Sequence, residues 1–131
     1  MTEGSDQSSE ELIQQSLGED LLRIHQDSYG GSAESVRVHI EHDAVFCILD
    51  GLELMPNEEF LIEAGRGDAV VEIRGQYQQA IETTFRAAVE RATGRRVISF
   101  ASITKLDPNY VIEIFRLAPE QAPPPEARDD E

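Results

Sequence analysis

Leu12, Ile13, Leu17, Leu21, Leu22 and Ile24 recur at steps of three and four residues, the spacing of one face of an amphipathic helix. The pattern predicts a helix over about residues 10–27, opened near Ser9, weakened at Gly18 and ended by Gly30-Gly31. The period then changes. Val36, Val38 and Ile40 alternate with Arg37, His39 and Glu41, which predicts a strand with one buried face. His42-Asp43 fits a two-residue turn, and the run Ala44 to Leu49 is apolar at every position, as in an interior strand covered on both sides. Pro56 suits the first turn of a short helix closed by Gly65. Asp68 stands where an N-cap belongs, ahead of one long helix to about Thr93. Val70, Ile73, Tyr77, Ile81 and Phe85 form its expected core stripe, flanked by Ala80, Ala88 and Ala92. Gly94 stops it. "RRVISFASITK" and "YVIEIFRL" then read as a second hairpin around Asp107-Pro108-Asn109, with the residue types of a type I turn.

These elements describe one α+β domain over residues 10–117, in the order α-β-β-α-α-β-β. Residues 1–9 and the acidic, proline-rich stretch 118–131 are expected to be disordered. Two hairpins make a four-stranded antiparallel sheet, and helices packed on it complete a two-layer fold. If Val45, Cys47 and Leu49 face the helices, Ala44, Phe46 and Ile48 face away. Phe100 and Phe115 are expected to join that outer side, with Glu113 beside them. An apolar group of this kind reaches several hundred Å², about the limit for a monomer, so a homodimer pairing through Phe46, Ile48, Phe100 and Phe115 is expected. The first helix lying across the same face, as a monomer, is the competing arrangement.

Charge changes the picture only at the edges. The chain has 131 residues and a formal charge of −15. Residues 1–20 hold six acids and no base, and residues 118–131 hold five acids against one arginine. Most of the acidity therefore lies at the ends, where it favours solubility rather than a site. Nucleic acid and anionic lipid are disfavoured partners for such a chain. The sequence shows no apolar stretch long enough to insert in a membrane, no secretory signal at its start and one cysteine, Cys47. A cytoplasmic protein is the expectation.

Candidate chemistry is sparse. Gly65-Arg66-Gly67-Asp68 follows a helix rather than a strand and has no Lys-Ser/Thr pair after it, so it reads as a hinge between helices and not as a phosphate loop. His39 and His42, three apart in a strand-turn, point to opposite faces and do not make a zinc pair; His25 is remote. Cys47 lies among Phe46, Ile48 and Leu49, the setting of an inert core thiol. Arg91, Arg95 and Arg96 near Gly94 suit a helix C-terminus better than an anion site. No catalytic, metal-binding or cofactor-binding residue is expected, and the protein is read as a non-enzyme.

Five segments carry a resemblance: "LLRIHQDSYGG", "VRVHIEHDAVFCILDG", "LELMPNEEFLIEAGRGDAVVEIRGQYQQAI", "VERATGRRVISF" and "LDPNYVIEIFRL". In this order and spacing, over roughly residues 12–117, the chain resembles the MpsC family, small bacterial proteins linked to a sodium-translocating, membrane-potential-generating system. The chain departs from the family pattern at Gly30-Gly31-Ser32-Ala33 and at Met55. The resemblance implies a non-catalytic, soluble accessory or regulatory protein with a role near ion or bicarbonate physiology and a membrane-complex protein as partner. It supplies no catalytic residue. A cytosolic small-molecule or anion sensor using the helix–sheet cleft is the alternative.

Overall fold

The computed structural model of the chain describes residues 2–29 and 31–119, with side chains from residue 9 onward. The elements are α1 (Thr2–Tyr29), β1 (Ala33–Glu41), β2 (Ala44–Leu52), α2 (Pro56–Glu63), α3 (Gly67–Ala80), α4 (Glu82–Thr93), β3 (Val97–Leu106) and β4 (Asn109–Leu117). This is the α+β order that the hydrophobic periods predict, with the long helix divided in two. The expected disordered tail falls, from residue 120 onward, outside the described residues. α1 starts well before residue 10, and the first buried residue among its described side chains is Leu17.

The four strands pair antiparallel in the spatial order β1-β2-β4-β3, so the two hairpins join through their second strands. β2 and β4 are the interior pair, as the apolar run 44–49 requires. Leu17 and Leu21 of α1 and Phe85, Ala88 and Val89 of α4 pack on Val45, Cys47, Leu49, Val111, Phe115 and Leu117. Gly18 is the close-approach point of α1: a β-carbon there would lie 3.4 Å from a Val38 methyl. Gly65 and Gly94 stop α2 and α4 in the left-handed region, with φ of 80° and 71°, where a glycine meets no steric penalty.

Three local expectations are corrected. Asp68 is not an N-cap; it lies in the first turn of α3, whose N-cap is Arg66, without a side-chain capping bond. The second turn is the pair Asp107-Pro108, joined by a cis peptide bond, with Leu106 opposite Asn109, and not a type I turn begun at Asp107. The stripe of α3 is also shifted. The helix breaks at Ile81 (φ −104°, ψ 12°), and the buried residues before the break are Val70, Arg74 and Gln78, while Ile73 and Tyr77 are exposed. Polar side chains take the inner face because other elements supply them with partners, which no period within the helix encodes.

The outer face of the sheet is corrected too. Phe115 is 0% exposed, and Phe100 packs between it and Phe85, with ring centres 5.1 and 6.1 Å away. Register is the cause. Phe115 stands directly opposite Val45, and opposed residues share a face, so Phe115 follows Val45 to the helix side and Phe100 follows Phe115. The outer positions of β4 are instead Ile112 and Ile114.

Candidate functional site

The register builds the helix-free face row by row. One row runs Arg37, Ile48, Ile112, Ile103 across the sheet, and the next His39, Phe46, Ile114, Ala101. Ser35, Asp50, Tyr110 and Lys105 flank them at one end, and Glu41, Ala44, Arg116 and Ser99 at the other. The centre is thus Phe46, Ile48, Ile112 and Ile114, with Ile103 beside them, and the rim carries charges of both signs. Phe46 is 36% and Ile103 45% exposed. Two of the four expected interface residues, Phe46 and Ile48, lie here; Phe100 and Phe115 lie in the core. Ile112 and Ile114 replace them, and the 2.0 period of β4 would have found them had its phase been set from Val45.

Behind the sheet lies a polar network that no sequence pattern announced. Arg74, 2% exposed, donates from Nε to Glu58 (2.7 Å) and from Nη2 to the other Glu58 oxygen (2.8 Å) and to the Glu53 carbonyl (3.2 Å). Its guanidinium also lies 4.7 Å from the ring centre of Tyr29, whose hydroxyl donates to the Arg74 carbonyl at 2.6 Å. His25 packs against Tyr29 with the rings tilted by 44° and their centres 4.6 Å apart. Burial pulls against ionised Glu58, yet the Arg74 hydrogen bonds, the Met55 N–H and the Arg74 charge together hold its carboxyl below the usual value. Burial, helped by the Arg74 charge and opposed by Glu58, lowers His25 to about 4. Burial likewise raises the Tyr29 phenol well above its ordinary range. The network joins α1, α2 and α3 and behaves as a fastening.

His25 makes that fastening sensitive to acid. Its imidazole is 1% exposed and neutral when folded, against an ordinary value of 6.5, so the unfolded chain takes up a proton first. Stability is therefore present above pH 6.5 and is lost as pH falls through about 4, by about 3 kcal/mol from this residue. Urea midpoints measured across that interval should fall, and should fall less for His25→Gln; an equal fall in the variant would contradict the assignment.

Arg95 donates to the His42 carbonyl (2.7 Å), to Asp43 (2.6 Å) and to the Ala118 carbonyl (2.6 Å), tying the β1–β2 turn to the end of β4. Arg66 and Asp68 form an exposed pair at 3.4 Å. His39 lies on the open face opposite Phe46, and His42 lies in the turn. Cys47 is buried, and burial, with Glu113 adding to it, keeps its thiol protonated. Among the described residues no cluster of three or more His, Cys, Asp or Glu is arranged around a metal.

Among the described residues no helix is long and apolar enough to cross a membrane. Neither the curated proteins nor the solved structures hold a match to the chain. One family profile does match, over residues 7–119, and it carries the description "Na+-translocating membrane potential-generating system (MpsC)". That match spans nearly the whole domain, all four strands and the arginine network included, and the chain belongs to the MpsC family.

Proposed function

We propose that this protein is a non-catalytic accessory or regulatory component of a sodium-translocating, membrane-potential-generating system, and that it works as a pair of chains joined through their open sheet faces. Family membership supports the system. With no membrane-crossing helix among the described residues, ion passage would fall to a membrane-embedded partner. The open face supports the pairing. It has an apolar centre and a charged rim, the anatomy of a protein interface.

A second copy is the occupant that the charges favour. Although the chain is strongly acidic, the open face carries Arg37, Lys105 and Arg116 against Glu41 and Asp50, so two such faces do not repel. The acids lie on the β1–β2 half and Lys105 and Arg116 on the β3–β4 half. A copy turned about an axis along the strands brings each half against the other, so acids meet bases while the isoleucines and Phe46 meet at the centre. Of the arginines that an anion sensor would use, Arg91, Arg95 and Arg96, the half-buried Arg95 is already paired with Asp43.

Light scattering at micromolar concentration should report about twice the chain mass of 14.6 kDa. Phe46→Asp and Ile112→Asp should each halve it and leave the circular dichroism unchanged. A wild-type monomer would remove the pairing from the proposal.

A further inference from the structure

Glu113 is the residue the fold explains least. It sits in the middle of β4 on the helix side, 0% exposed, between Cys47 of β2 and Ser102 of β3. No ion pair in the described structure includes it, and neither carboxyl oxygen has a hydrogen-bond partner in the protein. Two more buried oxygens share that condition nearby, Ser102 Oγ and Gln78 Oε1. Ser102 is directly opposite Glu113, which puts their β-carbons about 5 Å apart on one face. Gln78, 1% exposed on α3, lines with Ser102 a single cleft of about 500 Å³ between α3 and the edge strand β3. Gln78 lies beside Tyr29, whose hydroxyl spends its proton on the Arg74 carbonyl and so has none for Oε1.

Native interiors rarely keep several unpartnered oxygens together. We propose that Gln78, Ser102 and Glu113 are the ligands of a buried site for a small monovalent hard cation, Na+ or K+. The ligand atoms are all oxygen, the preference of hard cations; no imidazole or thiolate contributes that would select a softer metal. Charge decides the valence. One carboxylate neutralises one positive charge, whereas a divalent ion would leave a net charge in the core. The cleft is also lined by the exposed Glu72, whose charge favours cation entry, and by Glu82, which is paired with Arg86 at 2.7 Å. Bound, the cation pairs with the Glu113 carboxylate, with no change of oxidation state. This inference is separate from the pairing of open faces, since the site lies on the opposite side of the sheet.

The melting temperature of the full chain in NaCl, KCl and choline chloride at equal ionic strength tests the site. The sodium or the potassium salt should raise it by several degrees over choline. The larger of the two shifts identifies the ion. Glu113→Gln, close in shape and without a titrating group, should remove the shift. Equal melting temperatures in all three salts, or a variant that keeps the full shift, overturns the site. Light scattering on the same samples reads the pairing separately, so either proposal can fail without the other.

Discussion

Arg74→Ala is expected to destabilise the protein by about 3–5 kcal/mol, the usual result of removing one partner from a buried ion pair. The Arg74 side chain is 2% exposed and that of Glu58 12%, so solvent cannot replace what is lost. The substitution removes two bonds to Glu58 and one to the Glu53 carbonyl, and leaves a carboxylate facing the apolar space the guanidinium filled. Only the Met55 N–H, at 2.9 Å, remains to stabilise it. Arg74→Lys should lose an intermediate amount, because an ammonium cannot make the paired contact to both carboxylate oxygens. Combining Arg74→Met with Glu58→Gln should recover much of the loss, since no charge is then left unpaired. Urea unfolding of the three variants measures this. A loss under about 1 kcal/mol for Arg74→Ala would mean that α2 and α3 are not fastened by this pair.

The same residue shows where sequence reading stops. The first hairpin was legible because Val36, Val38 and Ile40 alternate with polar residues, and alternation states both the strand and its inner face. In β4 the positions Val111, Ile112, Ile114 and Phe115 are all apolar, so the strand is plain and its phase is not. The one polar residue among them, Glu113, argued for the wrong face, because it lies inside. α3 fails for the same reason. Ile73 and Tyr77 suggested the inner stripe, while Arg74 and Gln78 occupy it, next to Glu58 and Tyr29 from other elements. Hydrophobic periodicity assumes that polar means outside, and here three of the residues that shape the interior are polar. The open face inherits the error: Phe46 and Ile48 were placed correctly, and the two phenylalanines of the second hairpin were not. The candidate cation site was invisible for the same cause, since it is made of residues that periodicity assigns to water.

The corrected phase of β4 has a large and simple consequence. Phe115→Ala should cost about 3–5 kcal/mol, the range for deleting a buried phenyl ring. Phe115 is fully buried and touches Phe100 at a ring distance of 5.1 Å, within a cluster that reaches Phe85 of α4. The cavity would open between the sheet and the helix that covers it, where neither layer can collapse without losing its other contacts. Phe46→Ala, one strand away on the other face, should cost about 1 kcal/mol or less in the single chain, because its ring is already 36% exposed. Its effect should appear instead as weaker pairing of the open faces. Measuring both variants by urea unfolding at a concentration low enough to keep chains apart separates the two faces directly. If Phe46→Ala proved the costlier change there, β2 and β4 would have to present the opposite faces to the helices, and the rows assigned to the open face would move with them.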